Sequence, residues 1–144
     1  MAKRILIPVD GTSASEAVLP IVADLARSAG STIRLLDVKP VPENVVSDDG
    51  RVVAYASQEM ARLETDGLCR LDGVAAPFVG VPIERVVRFG EPTEEILAEA
   101  QAWHADLVAV AGSERSWTGR LARGGVADTL LRKSPVPVLI YRSR

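Results

Sequence analysis

Cysteine and histidine are nearly missing from this chain: among 144 residues there is one of each, Cys69 and His104, and aromatic residues make up only 4%. A lone cysteine forms no internal disulfide, and one cysteine with one histidine makes no cluster at metal-ligand spacing. Zinc binding and thiol chemistry are therefore disfavoured, and no metal site is expected. Long apolar runs are missing too. Nothing in the sequence reaches the roughly eighteen consecutive apolar residues of a membrane span, and no signal-peptide core opens it. The expectation is a cytoplasmic protein with no membrane partner. A net charge of -2 disfavours general nucleic-acid binding. Catalytic constellations are equally scarce. Ser13, Ser15, Ser113 and Ser116 have no evident base, and His104 stands near a helix end, where capping of carbonyls is its expected role. No catalytic residue is assigned.

What the chain does have is a 47% hydrophobic content, enough at this length for one core, and residues 1–144 read as one domain. Residues 4–9 (RILIPV), 32–38, 84–89, 107–111 and 136–141 are short apolar runs rich in branched side chains, the pattern of buried strands. Amphipathic stretches lie between them. In residues 13–29, Ser13 and Glu16 have the spacing of a capping box, Val18, Val22, Leu25 and Ala29 share a face, Gly30 ends the helix, and Pro20 predicts a bend. Residues 39–50 read as a polar connection. Residues 55–71 carry Met60, Leu63, Gly67 and Leu71 on one side, with Gly67 weakening the helix by about 1 kcal/mol relative to alanine. Residues 92–103 open on Pro92, place Glu94 and Glu95 at the positive end of the dipole, and turn Ile96, Ala100 and Trp103 inward. Residues 126–133 form the last helix. Strands alternating with helices predict an α/β fold, a parallel sheet covered on both faces.

In an open parallel sheet, ligands bind beyond the carboxyl ends of the strands, where strand order reverses. Two segments qualify: Pro8-Val9-Asp10-Gly11, and the loop from Ala111 to Gly125. Gly124-Gly125 ahead of the last helix would let backbone amides approach an anion with a positive helix end behind them, although a plain turn into a helix reads the same way. From Arg115 onward Arg115, Arg120, Arg123, Arg132, Lys133, Arg142 and Arg144 face a single acid, Asp128. That segment prefers an anion nearby, unless its arginines pair with carboxylates elsewhere. Asp10 suits either a turn or a ligand contact. Neither a P-loop nor a G-x-G-x-x-G run is present, and ERVVRFG lacks the aspartate that a response regulator needs at the end of its third strand.

Three stretches, IPVDGTSASEAVLPIVADLARSAGSTIRLLDVKPVP, VVRFGEPTEEILAEAQAWHADLVAVAG and GGVADTLLRKSPVPVLIY, resemble the universal stress protein family over essentially the whole chain, with residues 40–80 matching least. The resemblance implies a Rossmann-like three-layer sandwich with a five-stranded parallel sheet in the order 3-2-1-4-5, and in many members a homodimer joined through the final strand. Nucleotide-binding members carry Gly, two residues, Gly, nine residues, Gly, then Ser or Thr. Aligning both flanks without gaps puts Ala111, Glu114, Gly124 and Gly125 at those positions, so only Gly124 matches. Anchoring on Gly112 instead gives Gly112, Arg115, Gly125 and Val126. The gapless register keeps both flanks in place. Asp10 and Val38, with Pro8 and Val9 beside Asp10, match positions where nucleotide-binding relatives hold the adenosine.

Glu114 would set a carboxylate where the family loop approaches a polyphosphate, and the missing hydroxyl removes a phosphate contact. The reading is a non-enzymatic stress-response protein without tight ATP binding and with no cofactor expected, acting through protein partners. The alternative is an ATP- or AMP-binding member, or a slow ATPase, in which Arg115, Arg120 and Arg123 replace the loop contacts. A nucleotidyl-transfer enzyme is disfavoured, because such enzymes resemble one another through paired histidines. Ser113, Ser116 and Thr118 are phosphorylation candidates or ordinary loop polars. Val136, Val138, Leu139, Ile140 and Tyr141 would form an edge strand, which natural proteins pair or cover, and are the candidate dimer interface.

Overall fold

The computed structural model describes residues 3–112 and 126–142. In chain order the elements are β1 (Arg4–Pro8), α1 (Ser13–Glu16), α2 (Leu19–Ala29), β2 (Thr32–Lys39), β3 (Val45–Val46), β4 (Val52–Ala54), α3 (Ala56–Ala75), β5 (Ile83–Phe89), α4 (Pro92–Ala102), β6 (Leu107–Gly112), α5 (Val126–Lys133) and β7 (Val138–Arg142). Five of the strands build one parallel sheet in the order β5-β2-β1-β6-β7. Numbered along the chain within that sheet, this is 3-2-1-4-5, as the resemblance implies.

The apolar runs of β1 and β6 leave no polar face because these central strands are covered on both sides, whereas the edge strand β5 exposes Glu84 and Arg85. Side chains alternate across the sheet. Ile5, Ile7, Val9, Ile33, Leu35, Ala109 and Ala111 pack with Val22, Ala23 and Ala26 of α2 and Leu71 of α3. Leu6, Leu36, Val108 and Val110 pack on the opposite face with Ile96 and Ala100 of α4, Trp103, and Leu130 of α5. Each Val, Leu or Ile side chain among them contributes about 1.5–3 kcal/mol on leaving water, before entropy is counted. The Arg34 guanidinium lies 4.6 Å from the Trp103 ring centroid and its Nη2 is 2.7 Å from Glu84 Oε1, which ties β2, β5 and the end of α4 together.

Several local expectations are corrected. Residues 13–29 form two helices, not one bent helix. The break falls at Ala17-Val18, which puts Pro20 in the first turn of α2, where a missing N–H goes unnoticed. The register of α2 shifts accordingly: Leu19, Val22, Ala23 and Ala26 are buried, whereas Leu25 is 50% exposed. The first helical turn is capped by Thr12, whose Oγ1 accepts from Ser15 N–H at 3.1 Å, and not by Ser13. The polar connection contains a short antiparallel ribbon, β3 with β4, and Asn44 Oδ1 accepts from Ala56 N–H at 2.7 Å to fix it to the start of α3. That helix continues to Ala75, one turn past Leu71. β7 begins at Val138 because Pro137, just before it, has no N–H for the ladder.

His104 caps α4 through its backbone rather than its ring. It adopts φ 57°, donates from N–H to Gln101 O at 3.2 Å, and Ala105 N–H reaches Ala100 O at 2.9 Å. This is the pair of bonds of a Schellman cap, with histidine where glycine is usual.

Candidate functional site

The sheet reverses order between β1 and β6, and their pairing there is short. β1 pairs with β2 from Arg4↔Thr32 to Pro8↔Leu36, but with β6 only at Ile5↔Leu107 and Leu6↔Val108. Pro8 supplies the reason. Val9 N–H donates to Leu36 O on the β2 side, so Pro8, one residue earlier, faces β6 and has no N–H to extend that ladder. The reversal of strand order is what opens a crevice at the carboxyl ends of parallel strands, and Pro8 ends the β1–β6 hydrogen bonding early at that point.

Asp10 stands at the exit of β1, half-buried, and its Oδ1 accepts from Thr12 N–H at 3.0 Å and Thr12 Oγ1 at 2.6 Å. Asp10 N–H in turn donates to Ser15 Oγ at 3.1 Å, and that hydroxyl donates to Thr12 O at 2.9 Å. Asp10 therefore shapes the turn that carries it, as an Asx turn does. Gly11 takes φ 87°, a conformation that side chains resist, so the turn requires glycine there.

On the neighbouring strand, Val38 is half-buried and packs on the α4 side of the sheet. Ala111 is buried within β6, in register with Tyr141, and Gly112 ends that strand opposite Arg142. In the gapless register, then, the first loop position belongs to the strand. Val126 opens α5. Pro8, Val9, Asp10, Val38, Ala111 and Gly112 thus lie on the carboxyl-terminal halves or exits of three adjacent strands. Ser113, Glu114, Arg115, Ser116, Thr118, Arg120, Arg123, Gly124 and Gly125 lie outside the described residues.

Sequence reasoning missed a charged cluster beside this crevice. Asp37, one residue before Val38, points to the opposite face of β2, and its side chain is only 5% exposed. Its Oδ2 lies 2.8 Å from Arg70 Nη2 and 3.2 Å from Lys39 Nζ. Neither approach follows a hydrogen-bond direction, so Asp37 Oδ2 is buried without a hydrogen-bond partner, and Arg70 Nη1, the other end of the fork, is also buried without one. These are close Coulombic contacts rather than forked bonds, and a buried polar atom left unpaired costs about 1–3 kcal/mol. Gly67 makes the cluster possible. A Cβ at that position would stand 2.9 Å from Val87 Cγ2, 3.0 Å from Lys39 Cε and 3.1 Å from Asp37 Oδ2. The available signal was an acid directly after the apolar pair Leu35-Leu36 in β2.

Perturbed carboxylates lie away from the crevice. Asp106 is held below the usual carboxylate range by two backbone donors, Lys3 N–H and Arg4 N–H, both 3.0 Å from Oδ2. Asp49 is lowered chiefly by the Ser47 hydroxyl, and Glu59 by Arg62. Among the described residues no group of His, Cys, Asp and Glu is placed to hold a metal, and no helix is long and apolar enough to cross a membrane.

A reversed strand order, a proline-shortened ladder and an Asp-Gly turn at the exit of β1 define a crevice suited to a small ligand. The model of the universal stress protein family matches residues 1–142. The stress response protein NhaX of Bacillus subtilis is 23% identical over 163 aligned positions, covering 98% of this chain and 98% of that protein. A protein of the universal stress protein family from Burkholderia pseudomallei, 19% identical, superposes with a TM-score of 0.70 over 98% of this chain and 96% of its own. An Arabidopsis thaliana member, solved with AMP bound and 18% identical, gives a TM-score of 0.66 over 99% of this chain and 92% of its own. The structural likenesses establish the fold, and the family match spans nearly every residue from which that fold and crevice are built: the chain belongs to the universal stress protein family.

Proposed function

We propose that this chain acts in the stress response without catalysis, through protein partners, and that its crevice keeps a place for a nucleoside monophosphate but lacks the grip for tight ATP binding. A homodimer through β7 and a cytoplasmic location belong to the same proposal. The observation that carries it is the loop after β6. Of the four positions that nucleotide-binding relatives fill with three glycines and a hydroxyl, the gapless register keeps only Gly124 and puts Glu114 and Gly125 at two others. A carboxylate near the phosphates and a lost hydroxyl together cost roughly 3 kcal/mol, or about two powers of ten in affinity. Calorimetric titration with ATP, ADP and AMP, with and without magnesium, tests this reading. The expected result is no ATP binding in the micromolar range, and micromolar ATP affinity overturns it.

The AMP held by the Arabidopsis relative supports a second reading, in which Arg115, Arg120 and Arg123 grip ATP or AMP and hydrolysis is slow. Reversing all three charges should then abolish nucleotide binding. An unchanged affinity in that variant refutes the second reading.

A further inference from the structure

β5 is an edge strand, and among the described residues it pairs only with β2. Ile33 N–H donates to Pro82 O and Gly90 N–H donates to Lys39 O, so the even-numbered residues of β5 turn their backbone groups toward β2. The N–H and C=O groups of Ile83, Arg85, Val87 and Phe89 therefore face outward along the free edge. Natural proteins blunt such an edge with lysine, proline, a bulge or a very short strand. β5 has none of these: it runs for seven residues, IERVVRF, in unbroken register from Ile33↔Ile83 to Lys39↔Phe89. The charge of Arg85 is drawn onto α3, where Nη1 lies 2.6 Å from Asp72 Oδ2 and 3.3 Å from Leu68 O. Glu84 and Arg88 carry the remaining charges of the strand, and these are opposite in sign.

We propose that this edge pairs with the same edge of a second copy of the chain, antiparallel, about a two-fold axis at Val86. That register sets Ile83 opposite Phe89, Glu84 opposite Arg88, Arg85 opposite Val87, and Val86 opposite itself. The whole strand pairs, and no like charges meet. Centring on Arg85 would set that arginine against itself, and centring on Val87 would carry Ile83 and Glu84 past the end of the partner strand. Glu84 and Arg88 fall in a non-hydrogen-bonded pair, where side chains approach most closely. Each has an atom to spare. Arg34 takes only Oε1 of Glu84, at 3.0 Å and 2.7 Å, and Arg88 meets Glu95 and Glu99 through Nε and Nη1. Glu84 Oε2 and Arg88 Nη2 remain for the partner. A second copy is the favoured occupant because the complementarity lies within IERVVRF itself. One strand edge is a small contact, so the dissociation constant should be about 0.1–1 mM. It lies at the opposite side of the sheet from β7 and does not depend on pairing there.

Sedimentation of the full chain between about 10 µM and about 1 mM tests it, and the rise in mass is read, not the starting mass. Wild type should rise about 1.5-fold or more. Arg85→Pro removes an outward N–H and no bond of the β2 ladder, so its mass should stay level, whereas Arg85→Ala should rise like wild type. Glu84→Arg and Arg88→Glu each oppose like charges, so each should stay level alone and associate when the two are mixed. In wild type the outward amides of Arg85, Val87 and Phe89 should exchange with solvent about two- to fourfold more slowly at the higher concentration, a readout that no variant's folding disturbs. A level mass for wild type overturns the inference, as do unslowed amides, a wild-type rise in Arg85→Pro, or folded charge variants that stay apart when mixed. Ile140→Pro acts on the other edge and should keep the rise; its loss there would assign the contact to β7 and overturn this one. A monomer at about 10 µM refutes pairing through β7 alone and leaves this inference standing.

Discussion

Gly67 of α3 lies so close to β5 that a Cβ added to it would stand 2.9 Å from Cγ2 of Val87. By helix propensity alone Gly67→Ala should stabilise the protein by about 1 kcal/mol. The packing reverses the sign, since Val87 is anchored in the sheet and Asp37 Oδ2 stands 3.1 Å from the same point. We expect Gly67→Ala to destabilise by about 1–3 kcal/mol in urea unfolding. A gain in stability would mean that α3 sits farther from the sheet.

Asp106 predicts part of the acid limb of stability. Its carboxylate accepts from Lys3 N–H and Arg4 N–H and is held below its ordinary value, so it titrates lower in the folded chain than in the unfolded one. A depressed carboxylate contributes stability that is present above the unfolded value, about pH 4, and lost as pH falls through the folded value. Asp106→Asn should therefore flatten the decline in melting temperature below about pH 4, in thermal scans against wild type. An unaltered acid limb would rule out this contribution.

The edge strand β7 predicts association. Val108 N–H donates to Pro137 O, so residue 137 faces β6 and, by alternation, the backbone groups of Val138 and Ile140 face outward. Ile140→Pro would remove an outward N–H without taking a bond from the β6 ladder. Light scattering should give a dimer for wild type at micromolar concentration and a monomer for Ile140→Pro. A monomeric wild type would refute pairing through this edge.

The alternation of the chain was legible because burial on both faces leaves continuous apolar runs such as RILIP and LVAVAG, bounded by glycine, proline and acids. The last helix, Val126–Lys133, has the bounds its periodicity predicts, and α4 ends one residue earlier, at Ala102. The first helix was misread because Pro20 suits two arrangements, a bend within one helix or the first turn of a second. Only the burial of Leu19 and Ala23 against the sheet selects the latter. At the site, Pro8 and Asp10 could be placed from their position at a strand exit, and Val38 from the family resemblance. Arg70 could not, since nothing in residues 55–71 distinguishes it from any exposed helical arginine.

By itself the sequence determined the five strands of the sheet and the helices between them, apart from the break within residues 13–29 and the β3–β4 ribbon, that the sheet is parallel, and that the exits of β1 and β6 carry the residues suited to a ligand. These follow from local periodicity and backbone chemistry, which act over a few residues. Tertiary structure alone decided that Gly67 must be a glycine, that Asp37 is buried, and that Arg70 crosses from α3 to Gly11. Close approach and charge pairing depend on which surfaces meet, and the sheet brings together residues that the chain keeps apart.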